Sequence, residues 1–293
     1  MSDGPSTLTL QDRVAIITGA SEGLGLEIVK QYVLSGASVV MCSRNKEKLG
    51  TALERLILEV PTASSVVTCQ ADVSRPDDVD SLVKLALKKF GRVDILVNNA
   101  GVYGPKGLIE AIAWDDWVDA INVNLMGSVL MCREVAPIMK NQGYGKIVQL
   151  SGGGATNPMP NLSAYAVSKA GIVRFVETIA LEMAKHNIDV NAIAPGSLNT
   201  KMLDEVIDAG PEKVGEEFFE KALQQKASGG AGLERGAKLA VFLGSADSDG
   251  ISGKLISALW DPWADFGQYK DQLADSDIYT LRRIVPTDRG ESW

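Results

Sequence analysis

One histidine occurs in 293 residues. His186 stands beside Asn187 at an expected helix end, with no ligand cluster around it in sequence. A His-dependent triad is therefore disfavoured, and no metal site is expected. Cysteine is nearly as scarce: Cys42, Cys69 and Cys132 each sit among apolar neighbours. An odd number in such settings reads as reduced core thiols and a cytoplasmic protein. No run of about 18 apolar residues occurs, so no membrane span is expected. Residues 1–10 lack a basic segment followed by an apolar one, so no secretory signal is expected and they read as a flexible arm. Positive charge is also short: 29 Lys and Arg against 37 Asp and Glu give a net charge of -8. That balance argues against nucleic acid or an anionic membrane as the main partner. No internal repeat, low-complexity segment or second domain is visible.

What is present is 45% hydrophobic and 23% charged, enough for a full core. Residues 13–18, RVAIIT, form an unbroken apolar run that suits a strand buried on both faces of a parallel sheet. Thr18-Gly19-Ala20-Ser21-Glu22-Gly23-Leu24-Gly25 follows, then a helix expected over 24–35 with Gly36 placed to end it. Strand, glycine turn and helix together present backbone N–H groups and a helix N-terminus to a phosphate. The spacing is Gly-x3-Gly-x-Gly rather than the usual Gly-x-Gly-x-x-Gly fingerprint, and a tight loop without a ligand is the plainer reading.

The second strand, residues 38–43, ends at Ser43-Arg44. An acidic residue at that end would hold a ribose 2′-hydroxyl and repel a 2′-phosphate. Arg44 can pair with a phosphate instead, so the pocket leans toward NADP(H), with NAD(H) as the alternative. Glu22 pulls the other way. Arg44 as an exposed start to the next helix is the alternative without function.

Further strands are expected at 65–70, 94–97, 146–150, 188–193 and 254–258. Helices are expected at 77–90, 114–141, 163–185 and 233–244. Seven strands alternating with helices imply an α/β, single-domain, doubly wound parallel sheet with helices on both faces. The right-handed crossover rule places the ligand at the strands' carboxyl ends. The glycine loop, Asn98-Asn99-Ala100-Gly101, the turn after Leu150 and Pro195-Gly196-Ser197-Leu198-Asn199-Thr200 each follow a strand directly. They must therefore meet on one edge. Residues 201–232 are more polar, with short helical patches and a Gly229-Gly230 break; they read as a cover over that edge or an ordinary surface insertion.

Residues 145–170 hold the chemistry. A short strand breaks into Ser151-Gly152-Gly153-Gly154, and a helix begins near Ser163. Tyr165 and Lys169, four apart, share one helix face. A phenol has a pKa near 10, which an adjacent ammonium lowers, so the pair can pass a proton to or from a hydroxyl or carbonyl oxygen. In isolation Tyr-x-x-x-Lys is more often a solvated helix face.

With these residues the chain resembles the short-chain dehydrogenase/reductase family over about residues 8–258. The motifs are the glycine loop 18–25, Asp72-Val73, Asn98-Asn99-Ala100-Gly101, Asn124, Tyr165-Ala166-Val167-Ser168-Lys169, and Pro195-Gly196 with Thr200. The resemblance implies a Rossmann-like subunit, a nicotinamide cofactor, a small carbonyl or alcohol substrate, and a homodimer or homotetramer. It implies Tyr165 as general acid/base, Lys169 on the nicotinamide ribose lowering the pKa of Tyr165, and Asn124 anchoring a relay water. Asp72 would meet the adenine, and Asn99 and Gly101 would line the cofactor. Leu198 and Thr200 would bind its carboxamide. Gly19, Ser21, Glu22, Gly23, Leu24, Gly25, Ser43, Arg44, Val73, Ala100, Pro195 and Gly196 complete the cofactor set. The family places a substrate-orienting serine thirteen residues before the tyrosine, which here is Gly152. Ser151 is the first candidate for that office; Thr156, Ser163 and the 152–154 backbone N–H groups are the others.

Residues 11–258 form the expected domain, leaving 259–293 as an extension packed on it or on a neighbouring subunit. Trp260 and Trp263 either wall the pocket or make such a contact. Arg282 and Arg283 are either an anion site or surface ion-pair partners. The expected function is hydride transfer between NADP(H) and a secondary alcohol or ketone. The alternatives are the same chemistry with NAD(H) on a sugar, cyclitol or nucleotide-sugar, and a non-catalytic dinucleotide sensor or scaffold.

Overall fold

The computed structural model describes residues 9–60 and 65–293. The arm expected over 1–10 therefore lies, except for its last two residues, outside the described part. Seven strands form one parallel sheet in the order β3-β2-β1-β4-β5-β6-β7. They are β1 (Val14–Ile17), β2 (Ser38–Ser43), β3 (Val66–Gln70), β4 (Ile95–Asn98), β5 (Gly145–Leu150), β6 (Ile188–Ala194) and β7 (Leu255–Ser257). Every residue of β1, β4 and β5 is buried, as central strands with helices on both faces require, including Lys146 and Gln149 of β5.

Two cores flank the sheet. On one side lie α1 (Gly23–Leu34), α2 (Lys46–Glu59) and α10 (Leu233–Gly244), contributing Ile28, Leu49 and Leu239. On the other lie α3 (Pro76–Phe90), α5 (Gly127–Gln142) and α6 (Ser163–Met183), contributing Leu82, Met131 and Val176. Each such side chain contributes about 1.5–3 kcal/mol by leaving water. α3 starts with Pro76, has Asp77 and Asp78 in its first turn, and ends on Gly91 in the left-handed region, so its bounds follow from local chemistry.

The single helix expected over 114–141 is interrupted. α4 (Trp114–Ile121) passes into a π-helical turn, Asn122–Met126, before α5. One wide turn changes no apolar period enough to show in sequence. The expected cover consists of α7 (Lys201–Ala209), α8 (Pro211–Val214) and α9 (Glu216–Ser228). These enclose a small cluster of Leu203, Val206, Val214 and Ala222, against which Tyr103 packs.

Beyond β7 the chain forms a 3-10 stretch, Trp263–Tyr269, and α11 (Lys270–Ala274). Phe266, Leu273, Trp263 and Tyr279 join the core on the α1 and α10 side. Arg282 is engaged by Asp277 and Asp288, so it is an ion-pair partner rather than an open anion site. Among the described residues no helix is long and apolar enough to cross a membrane, and no group of His, Cys, Asp and Glu is arranged to hold a metal.

Candidate active site

Strand order reverses between β1 and β4, and the carboxyl ends on either side of that point open into a cavity of about 1020 Å³. Two residues join these ends. The Thr18 hydroxyl accepts from the backbone N–H of Asn99 and of Ala100, each at 3.0 Å. The Asn99 amide in turn donates to the carbonyls of Thr18 and Gly19, at 3.0 and 2.9 Å. Glycine is forced here by space. A β-carbon on Gly19, whose φ is +61°, would lie 2.7 Å from the Ala100 Cα, and one on Gly25 would lie 2.3 Å from the Gly19 carbonyl oxygen. Glu22 precedes α1 without capping it, which leaves the first N–H groups of the helix facing the cavity. An uncapped helix start beside a glycine turn fits a pyrophosphate.

At the end of β2, the Ser21 hydroxyl donates to that of Ser43 at 3.1 Å, and Gln70 donates to the Arg44 carbonyl at 3.1 Å. Arg44 faces the cavity, and its guanidinium has no partner among the described residues. Glu22, expected to repel a phosphate here, is instead paired with Lys48 at 3.0 Å, which offsets its charge. Asp72 lines the cavity while its Oδ1 accepts from the N–H and hydroxyl of Ser74 at 3.0 and 2.7 Å. Gly23, Leu24, Val73, Ala100, Gly101, Pro195, Gly196, Leu198 and Thr200 lie on the same wall. Of the catalytic and cofactor residues expected from sequence, Asn124 alone is not on the cavity surface.

Asn124 holds the chain that follows Gly101. Its Oδ1 accepts from the Val102 N–H at 2.8 Å, and its amide donates to the Val102 carbonyl at 2.8 Å and to the Ser168 hydroxyl at 2.9 Å. Both amide hydrogens are spent, so the side chain clamps the chain after Gly101.

Ser151, the first candidate to orient a substrate, lines the cavity. Its hydroxyl turns away from the tyrosine and donates to the Lys169 carbonyl at 3.3 Å. Gly152 faces Tyr165 instead, and a β-carbon there would lie 2.5 Å from the tyrosine oxygen. Alternation along the strand sends neighbouring side chains to opposite sides, and the glycine turn does not reverse this.

Tyr165 is 9% exposed and its hydroxyl has no hydrogen-bond partner among the described residues. Lys169 Nζ lies 5.6 Å from its ring centroid and donates to the Leu150 carbonyl at 2.7 Å. The expectation that Lys169 lowers the pKa of Tyr165 does not hold for this protein alone. Burial, then the neighbouring Tyr103, push the phenol above its ordinary value, while burial lowers Lys169 to about 8. Desolvation disfavours both charged forms.

Sequence reasoning did not single out Tyr103, whose ring lies 4.7 Å from that of Tyr165, tilted by 56°. Its one sequence signal is its place just after the Asn-Asn-Ala-Gly turn. Asp261 and the 84% exposed Trp260 stand at the cavity rim, whereas Trp263 packs on Phe242.

A parallel sheet with this cradle at its switch point defines a dinucleotide-binding protein. Residues 13–210 match the short chain dehydrogenase family, and the chain belongs to that family. It is thus an NAD(P)-dependent oxidoreductase acting on CH–OH groups. Similar proteins include dehydrogenase/reductase SDR family member 4 of Sus scrofa, 33% identical, with 84% of this chain and 86% of the relative covered. A gluconate 5-dehydrogenase from Burkholderia cenocepacia, solved with NADP and tartrate, is 28% identical with a TM-score of 0.74 over 86% of this chain and 95% of the other. A xylitol dehydrogenase solved with NAD+ is 26% identical with a TM-score of 0.77 over 85% and 98%.

Proposed function

We propose that the enzyme transfers hydride between NADP(H) and a secondary alcohol or ketone, with Tyr165 as general acid/base. The observation that carries this reading is the Tyr165 hydroxyl, buried, unpartnered and facing the cavity over Gly152. When bound, the cofactor supplies hydride at its nicotinamide ring. The chain supplies the proton and the geometry. A phenol is protonated at neutral pH, and burial pushes Tyr165 further that way, toward the form needed to protonate a carbonyl oxygen during reduction. The phenolate left behind is then favoured by the Lys169 ammonium one helical turn away.

The preference for NADP(H) is supported by the unpartnered Arg44 guanidinium, the Ser21 and Ser43 hydroxyls beside it, and the pairing of Glu22 with Lys48. A polyol or sugar-acid substrate is the second reading. It is favoured by Trp260 at the cavity rim, where an aromatic face can stack on a ring, and by the gluconate and xylitol enzymes among the structural neighbours.

Titration of the tryptophan fluorescence with NADPH and with NADH, followed by a ketone screen, tests the assignment. Tight NADPH binding and turnover that Tyr165→Phe abolishes is the expected result. Near-wild-type turnover in that variant would remove Tyr165 from the mechanism, and tighter NADH binding would reverse the cofactor assignment.

A further inference from the structure

A carbonyl oxygen that becomes an alkoxide has room for two hydrogen-bond donors. Tyr165 is one. The position that would carry the second is Gly152, which has no side chain. Of the other hydroxyls near it, Ser151 donates to the Lys169 carbonyl, Ser163 is not on the cavity wall and accepts from the Trp117 indole at 3.1 Å, and Thr156 is exposed, its oxygen accepting from the Asn157 amide.

We propose that the Tyr103 hydroxyl is this second donor, a catalytic residue that hydrogen-bonds the substrate oxygen while Tyr165 transfers the proton. The inference rests on Tyr165 acting as the general acid. Tyr103 transfers no proton itself and is neither oxidised nor reduced.

Three observations support it. The Tyr103 ring lies against that of Tyr165 on the wall of the same cavity, with centroids 4.7 Å apart. Its hydroxyl has no hydrogen-bond partner among the described residues, so a donor is available. Its place is fixed from two sides. The preceding residue, Val102, is held at both N–H and C=O by Asn124, which Ser168 holds in turn between Tyr165 and Lys169. On the other side the ring packs on the Leu203 and Val206 cluster, with Lys106 Nζ 5.8 Å above it. A donor held from two sides loses little freedom when it engages the substrate.

The test compares full-length wild type, Tyr103→Phe and Tyr165→Phe. Each is assayed for reduction of diacetyl, a small activated diketone, with NADPH and with NADH. Cofactor Kd and thermal midpoint are measured in parallel. Phenylalanine keeps the ring contacts and removes only the hydroxyl. Tyr103→Phe should lower kcat at least about 10-fold, with cofactor Kd and midpoint unchanged. A Tyr103→Phe kcat within twofold of wild type, with Tyr165→Phe inactive, overturns this inference and leaves the proposed function standing. A loss of cofactor binding or of several degrees of midpoint in Tyr103→Phe makes the hydroxyl structural and also overturns it. Wild-type protein that turns over no diacetyl, or an active Tyr165→Phe, overturns the proposed function and this inference with it.

Discussion

A β-carbon on Gly152 would sit 2.5 Å from the Tyr165 hydroxyl oxygen, closer than such contacts occur. The tyrosine thus fills the space that a side chain at 152 would need. Gly152→Ser, which restores the residue the family places here, should therefore displace Tyr165 rather than assist it. We expect kcat to fall about 10-fold or more from misplacement of the reacting group, with cofactor Kd unchanged. Steady-state turnover beside a fluorescence titration checks this, and a faster Gly152→Ser enzyme would show that the tyrosine can give way.

Lys169 carries a pH-dependent cost. Burial lowers it from 10.5 to about 8, so between these values the unfolded chain binds a proton that the folded protein has released. Stability should then rise with pH across that window, since the unfolded state holds more protons. Below pH 8 the buried ammonium costs about 3 kcal/mol. Lys169→Met, which never carries that charge, should lose its advantage over wild type by about that amount between pH 8 and pH 10.5. Urea denaturation at a series of pH values measures it; a constant difference would place the folded-state pKa near its ordinary value.

Arg44, whose guanidinium has no partner among the described residues, stands beside the two serine hydroxyls at the end of β2. Arg44→Ala should weaken NADPH about 10–100-fold, the worth of one charge-assisted hydrogen bond, and leave NADH nearly unchanged. Equal losses for both cofactors would mean that Arg44 meets a group the two share.

Phe266, in the extension after β7, is 2% exposed and stacks on Tyr279 with centroids 5.4 Å apart. Phe266→Ala should destabilise the protein by about 3–5 kcal/mol through lost burial and a cavity in the α1 and α10 core. Chemical denaturation reads this directly. A change below about 1 kcal/mol would detach the extension from the core.

Much of the fold was legible because buried parallel strands write themselves as continuous apolar runs and their helices as amphipathic ones. The cradle was legible at Gly19 and Gly25 because only glycine fits where two backbone segments nearly touch. The π turn at 122–126 was not, since one widened turn leaves the apolar pattern intact. Nor was Tyr103, which follows a strand-end turn and meets Tyr165 only when the sheet and the cover close around it.

The sequence by itself determined that seven strands alternate with helices, and that the glycine loop and the Tyr165 and Lys169 pair face one edge. Those outcomes follow from periodicity and steric exclusion, which act within a few residues. Which way the Ser151 hydroxyl turns, whether Glu22 stands unpaired, what the Asn124 amide holds, and whether Lys169 or burial governs Tyr165 were decided by tertiary structure. Each depends on partners far along the chain and on the exclusion of water, and both exist only once the two cores and the cover have packed.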